Sequence, residues 1–312
     1  MKLSVLVPTF NYDCSRLVRQ LQQQLPQDGE LIVGDDCSTD VDIICKNNEI
    51  TSLTGCRIFR PDHNLGRAAI RNALAREAKG NWLLFIDADA EVCSPSFIKN
   101  YLDAIDHCSA SDSIADNGDG IMVNGQWSMV NVICGGTGNL PQCPRPEAQL
   151  RYDYEVAAEK RLTLEHRRRF AYAQFTTFNF LILRNTFLSI CFDEHLHEYG
   201  HEDTLFGLEL KRRGIPILHI ENKLTHLGIE DADVYLEKTE TALRSLASMD
   251  YELQQNARIS VLALRLKRWH LLGFARTLFI IFKPLLRANL LGRHPRQMLF
   301  SLYKLGYYAS IR

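Results

Sequence analysis

Short runs of uninterrupted apolar residues punctuate the first third of the chain: LSVLV (3–7), ELIVG (30–34), CRIFR (56–60) and WLLFI (82–86). A strand with one wet face alternates apolar and polar positions. A continuous run of this length instead predicts a strand covered on both faces, as in a parallel sheet. Helical patterns fill the intervals, from Ser15 to Leu25, Asp40 to Asn47 and Arg67 to Ala78. Strand and helix alternate at the pitch of βαβ units, so roughly the first 110 residues predict a doubly wound α/β half. Ser94-Pro95 then has the form of an N-cap followed by proline in the first turn, which opens a helix to about His107. SASDSIADNGDG (109–120) has the composition of a polar loop.

From Ile121 the pattern changes. Short β-like pieces, IMVNG and MVNVI, precede the glycine-rich GGTGN (135–139). A long charged helix is expected from Glu147 to Arg169, then a strand FNFLILR (178–184), a helix Glu202–Arg213, a strand IPILHI (215–220) and a helix Asp231–Ser248. No repeat and no Gly/Ser linker interrupts this body. The expected organisation is a catalytic domain over 1–250, with halves 1–134 and 135–250, and a basic amphipathic helical tail over 251–312.

Composition narrows the class little: 312 residues, 46% hydrophobic, 23% charged and a formal net charge of −1. Near-neutrality argues against a general nucleic-acid binder. It conceals an asymmetry, because after Glu252 there is no acid while Arg258, Arg265, Lys267, Arg268, Arg276, Lys283, Arg287, Arg293, Arg296, Lys304 and Arg312 follow. The nine cysteines include no CxxC pair, which fits free thiols in a reducing compartment better than a zinc site. Pro8 and Asn11 cut short the apolar run of the N-terminus, so no signal peptide and a cytoplasmic location are expected.

In open α/β sheets ligands collect beyond the carboxyl ends of the strands. Acidic residues stand at three such places: Asp35-Asp36 after ELIVG, Asp87/Asp89 after WLLFI, and Glu202-Asp203 opening a helix. Each has a plainer reading alone. Asp36 suits a turn before an N-cap, and Glu202-Asp203 suit the positive end of a helix dipole. Asp87 and Asp89 share one site only if the strand ends in a turn, where hard oxygens suit Mg²⁺ or Mn²⁺.

Taken together, VPTFN (7–11), GDDCSTD (34–40), NLGRAAIRN (64–72), FIDADAEV (85–92) and GHEDTLFGLELKRRG (200–214) resemble, in order and separation, the family 2 glycosyltransferases, over roughly residues 1 to 230. The resemblance implies a GT-A fold: a Rossmann-like, mixed, mostly parallel sheet flanked by helices, here with a C-terminal amphipathic extension. It implies that Pro8 and Thr9 line a nucleotide base and that Asp36 accepts from a uracil N–H. Asn64, Gly66, Arg71 and their neighbour Arg67 would lie by the base and diphosphate. Asp87 would hold the ribose and Asp89 a cation, Mn²⁺ or Mg²⁺. Asp203, beside Glu202, would be the general base, and His226 in LTHLG would reach metal or diphosphate. The loop Gly135–Thr137 and Asn179 are further candidates near the sugar, and Glu91 is expected to face solvent or cap the next segment. The implied activity is inverting transfer from a nucleotide-sugar, a UDP-sugar, to a glycan or lipid-linked hydroxyl in surface polysaccharide synthesis. A catalytically inactive sugar-nucleotide-binding scaffold is the alternative. The missing GxxxxGK[ST] excludes a P-loop NTPase. A haloacid-dehalogenase-type phosphatase fits poorly, because two strand-helix units precede the DxD and Glu91 comes after it.

In the tail, Arg265, Arg276, Lys283 and Arg287 fall on one face at the helical period, with Trp269, Leu272, Phe279, Ile281, Phe282 and Leu286 elsewhere. No run approaches the ~20 apolar residues of a membrane span. Pro284 predicts a kink or restart. The expectation is peripheral contact with an anionic membrane at its inner face, for an acceptor carried on a polyprenyl lipid. The competing reading is a helix that packs on the catalytic body, or mediates dimer contacts, with its basic face in water.

Overall fold

The computed structural model describes residues 2–110, 121–123, 126–128, 130–194, 200–249, 254 and 257–312. The polar loop expected at 109–120 lies largely outside the described residues. The alternation expected of the first half is present as β1 (Leu3–Thr9), α1 (Ser15–Gln22), β2 (Glu30–Asp35), α2 (Val41–Asn48), β3 (Cys56–Phe59), α3 (Arg67–Glu77) and β4 (Trp82–Ile86). A two-residue β5 (Ala90–Glu91) and α4 (Phe97–Ala110) come next. Beyond them are β6 (Ile121–Val123), β7 (Gln126–Ser128), β8 (Val132–Cys134), β9 (Thr137–Asn139), α5 (Gln149–Arg161) and α6 (Leu164–Arg169). β10 (Asn179–Leu183), α7 (Arg184–Ile190), α8 (Glu202–Arg212), β11 (Ile217–His219), β12 (Leu224–His226) and α9 (Ala232–Ser248) complete the part before the tail.

Seven strands form one sheet in the order β11-β8-β10-β4-β1-β2-β3. All its pairings are parallel except the two made by β10, which runs antiparallel to β4 and β8. This burial on both faces explains the continuous apolar runs. Leu3, Val5, Val7, Leu31, Val33, Leu84 and Ile86 pack on one face with Leu17, Leu21, Phe97 and Tyr101 of α1 and α4. Leu6, Ile32, Leu83 and Phe85 pack on the other with Leu74, Phe187, Phe206 and Leu210 of α3, α7 and α8. At about 1.5–3 kcal/mol for each fully buried large aliphatic or aromatic side chain, this two-sided burial fixes register, because a slip by one residue exchanges the two cores. Phe85 stacks on Phe180 with centroids 4.9 Å apart, and Phe187, Phe192 and Phe206 extend that cluster toward α8.

The chain forms two compact units. The first comprises 1–138, 162–196 and 202–228, and holds the seven-stranded sheet. The second comprises 139–161, 197–201 and 229–312, and is helical: α5, α9, α10 (Arg258–Arg268), α11 (Leu272–Leu290) and α12 (Gln297–Ser310). Its core gathers Leu150, Tyr235, Leu236, Leu243, Leu246, Phe279, Phe300, Tyr303, Tyr307 and Tyr308.

Four local expectations change. The helix expected over Glu147–Arg169 is broken at Leu162-Thr163, because the Thr163 hydroxyl accepts from the His166 N–H at 3.2 Å and caps a new helix. The tail is not one helix either. His270 adopts φ 57° and Leu271 N–H bonds Leu266 C=O, a left-handed C-terminal stop that takes Arg265 off the helix carrying Arg276, Lys283 and Arg287. α11 then runs through Pro284 unbroken. The carbonyl orphaned there belongs to Ile280, an exposed residue, so water can satisfy it. Finally, the tail's basic residues do meet an acid within their unit: Lys283 and Arg287 approach Glu240 of α9 at 3.6 and 3.7 Å, and Tyr303 donates to the same carboxylate.

Candidate active site

Parallel pairing brings the carboxyl ends of β1, β2 and β4 to one edge of the sheet, and with them Pro8-Thr9, Asp35-Asp36 and Asp87. Because β10 is antiparallel to β4, its amino end lies at that same edge. β4 stops in a turn closed by Ala90 N–H on Asp87 C=O at 3.2 Å. That turn lets Asp87 and Asp89 serve neighbouring positions, which a straight strand would forbid.

Arg71 organises the first group. Its guanidinium is 7% exposed, meets Asp87 Oδ1 at 2.5 Å and donates to Arg67 C=O at 3.1 Å. Its Nε is buried with no acceptor among the described residues, and its carbon lies 6.0 Å from the Phe192 ring centre. Burial acts to lower the Arg71 pKa, but the charge and hydrogen bond of Asp87, then the charges of Glu202 and Asp203, hold it above its ordinary value. Both acids of α8 move the other way. Burial raises Asp203 above the usual carboxylate range against the Thr177 hydrogen bond and the Arg71 charge. Glu202 is raised by burial and by Asp203, and eased by Arg71 and Arg67. Asp87, Glu202 and Asp203 thus face one buried cation within the first unit.

The second group is Asp89 with His226. β12 pairs antiparallel with β5, His226 opposite Ala90, so the imidazole Nε2 stands 3.1 Å from Asp89 Oδ2. Burial acts to raise the Asp89 pKa, but His226, the backbone and the Arg67 charge bring it below its ordinary value. Arg67 therefore acts on both groups. Gly228 closes the pair: a Cβ there would overlap Asp89 Oδ2 and stand 3.1 Å from His226 Nε2. One carboxylate oxygen and one imidazole nitrogen beside a cradle that a methyl would fill suit a Mn²⁺ or Mg²⁺ ion that takes its other ligands from phosphate or water. Among the described residues no cluster of three His, Cys, Asp or Glu side chains supplies a complete cage.

The remaining candidates are structural in their visible contacts. Asp36, 3% exposed, accepts from Leu65 N–H and Gly66 N–H at 2.7 and 2.8 Å, and Asn64 donates to its carbonyl at 2.7 Å. It thereby ties the β2 loop to the start of α3, where Gly66 at φ 85° turns the chain into the helix. Thr9 donates to Tyr12 C=O, and Asn11 accepts from Thr39 and Asp40. Asn179, the candidate for facing the sugar or acceptor, is fully buried: its amide donates to Gly136 C=O and Asn222 C=O and accepts from Tyr101 OH, so it staples the Gly135–Gly136 loop. Glu91 is partly exposed and pairs with the exposed Arg16. Sequence reasoning missed Tyr12, raised by burial and then by the charge of Asp89, and Thr177 and Phe178, which carry no motif signal.

The fold recurs in known proteins. An uncharacterized glycosyltransferase of Haemophilus influenzae is 36% identical over 89 residues, which cover 28% of this chain and 29% of that protein. The chain thus matches under a third of that relative's length. The structure of S. aureus TarS 1–349 in complex with UDP-GlcNAc superposes with a TM-score of 0.52 at 17% identity, covering 100% of this chain and 91% of that one. Mannosyltransferase PcManGT from Pyrobaculum calidifontis, in complex with GDP-Man and Mn²⁺, gives 0.52 at 14% identity over 99% and 84%. At these identities the likeness is one of fold, and that fold is the expected GT-A: a mixed, mainly parallel sheet between helices. Residues 4–164, just over half the chain, match the family described as Glycosyl transferase family 2. By that match, the protein is a member of glycosyl transferase family 2.

Proposed function

We propose that this protein is an inverting glycosyltransferase, moving a sugar from a nucleotide-sugar, a UDP-sugar, to a hydroxyl of a glycan or polyprenyl-linked acceptor in cell-surface polysaccharide synthesis. The observation that carries the reading is the gathering of Asp87, Glu202 and Asp203 about Arg71, with Asp89–His226 linked to them through Arg67. TarS with UDP-GlcNAc supports a uridine donor, and PcManGT with Mn²⁺ supports a divalent cation.

In this reading Pro8, Thr9 and the loop that Asp36 ties to Asn64 and Gly66 frame the base. Arg71 and Arg67 face the diphosphate, and Asp87 takes the ribose. Asp203, with Glu202 beside it, receives the acceptor's proton as the acceptor oxygen bonds to the anomeric carbon. The bond from that carbon to the phosphate oxygen breaks on the opposite face, and the nucleoside diphosphate leaves with the electron pair. A single displacement inverts the anomeric centre. Burial makes Asp203 a stronger base than an exposed carboxylate, which suits proton transfer near neutral pH. Asp89 and His226 would hold the divalent cation, whose charge offsets that of the departing diphosphate.

The tail is assigned to peripheral contact with an anionic bilayer at the inner face of the cell membrane. Exposed Trp269, Phe274, Ile281, Leu285 and Met298, among basic residues of α10–α12, support it. No helix among the described residues is long and apolar enough to cross a membrane.

A panel of UDP-, GDP- and dTDP-sugars with Mn²⁺ tests the chemistry by nucleotide release. Turnover of a UDP-sugar is expected, lost by about 10²–10⁴-fold in Asp203→Asn while UDP still binds. Turnover that survives this substitution, or UDP binding with no turnover at all, overturns the reading. Co-sedimentation with phosphatidylglycerol but not phosphatidylcholine vesicles is expected of the full chain, and equal recovery in both supernatants removes the membrane assignment.

A further inference from the structure

The three residues Thr177, Phe178 and Asn179, at the entry to β10, touch members of both acidic groups of the candidate site. The Thr177 hydroxyl donates to Asp203 Oδ1 at 2.9 Å. Phe178 C=O accepts from Asp87 N–H at 3.1 Å, and the Phe178 ring meets the His226 ring edge-on, centroids 5.4 Å apart and planes at 84°. Asn179 pins the Gly135–Gly136 loop by donating to Gly136 C=O, and it also donates to Asn222 C=O and accepts from Tyr101 OH. Thr177 is 7% exposed and Asn179 fully buried, so this short stretch is itself fixed by the sheet, where Asn179 pairs with Ile86.

From this geometry we infer that Thr177 is the positioning residue for Asp203: its hydroxyl fixes the carboxylate rotamer so that the other oxygen, Oδ2, is left for the acceptor's proton. The inference rests on the reading of Asp203 as the base and deepens it. Bonded by the Thr177 hydroxyl at Oδ1 and by the Thr177 backbone, the carboxylate has a defined direction of attack. Without that donor the carboxylate can turn out of its catalytic pose. The groups that act on Asp203 are Thr177, Arg71 from α3 and Asp87 from the turn after β4, while Asp203 in turn raises Cys134 at the end of β8 and Glu202 on its own helix. Of these, Thr177 is the one that holds the carboxylate by a side-chain hydrogen bond while carrying no charge.

The test is the steady-state kinetics of Thr177→Val and Thr177→Ser in the full chain, with the UDP-sugar selected by the donor panel. Loss of the hydroxyl should lower kcat by about 10- to 100-fold with donor KM and UDP affinity unchanged. It should also move the acid limb of the kcat profile to higher pH, since the lost hydrogen bond had favoured the charged carboxylate. Thr177→Ser should restore both. If Val at this buried site prevents folding, Thr177→Cys, close in volume and a weaker donor, carries the comparison in the same direction. Wild-type kcat and acid limb in Thr177→Val, with Asp203→Asn inactive, overturn this inference and leave the base standing. Retained activity in Asp203→Asn instead removes the base itself.

Discussion

Two cations withdrawn from water, Arg71 in the sheet-bearing unit and Lys304 in the helical unit, are held by opposite means. Arg71 meets the Asp87 carboxylate directly and feels Glu202 and Asp203, so its charge is over-compensated. Lys304 sits over the Phe300 and Tyr154 rings, its Nζ 4.3 and 4.8 Å from their centres, and among the described residues no carboxylate lies within ion-pair distance. Burial, then the charge of Arg161, pushes its ammonium down to about 8. The aromatic faces supply attraction, but less than the lost hydration. Surplus acid around a buried arginine is a costly arrangement for a core, and buried carboxylates with raised pKa values are characteristic of functional sites. A lone lysine among rings is the reverse: it packs on aromatic faces, and among the described residues no carboxylate compensates its charge.

Removing the arginine should therefore produce the larger effect. Arg71→Met keeps most of the volume and leaves three acids without their buried partner, with Glu202 still feeling Arg67. We expect a loss of about 3–5 kcal/mol at pH 7.5 in urea unfolding of the full chain. Part of the loss should be recovered at pH 5, where Glu202 and Asp203, already raised by burial, protonate first. Arg71→Lys should restore less than half, since an ammonium cannot reproduce the planar fork. A neutral Arg71→Met would break the comparison, because the acids would then be balanced by something else. Gly228→Ala sharpens it at intermediate size. Its Cβ would intrude on Asp89 and His226, so about 1–3 kcal/mol of stability and most Mn²⁺-dependent UDP binding should go together, measured by melting and by calorimetry. Unchanged Mn²⁺ dependence with lowered stability would separate that cradle from the cation.

Much of this was legible in the chain and the rest could not have been. Two-sided strands announce themselves as continuous apolar runs, because no position on them can be polar without a partner. The acids at their ends could be placed from topology and from motif order. Thr177 and Phe178 are invisible in sequence, since their partners Asp203 and His226 are remote along the chain and ordinary residues do the joining. Asp36 shows the limit of a motif: the carboxylate is at the expected edge, yet its visible hydrogen bonds go to Leu65 and Gly66 of its own chain. In the tail, counting charges suggested an unbalanced basic helix. The acid that answers Lys283 and Arg287 is Glu240, brought to them only by packing. The stop at His270 was hidden because a left-handed residue is usually announced by glycine, and here a histidine takes that conformation.

The smallest effect is expected at Lys304. Its folded pKa, about 8, lies below the ordinary 10.5, so the unfolded chain holds the proton more tightly between those values. Stability must then rise with pH across that window, as the folded ammonium sheds a proton that the unfolded chain keeps. Below about pH 8 both states are charged and the full penalty applies, on the order of 1–2 kcal/mol after allowing for screening at a partly exposed group. Lys304→Met fills the same aromatic slot without charge, so it should be more stable than wild type at pH 7 by about that amount. The difference should shrink steadily toward pH 10.5. Tyrosines and cysteines titrate in the same range, so the readout is the difference between the two proteins at each pH, from urea unfolding at pH 7, 8, 9 and 10. A gap that stays constant from pH 7 to 10 would mean that Lys304 keeps its proton throughout, and that the Tyr154 and Phe300 faces compensate its charge as fully as carboxylates do for Arg71.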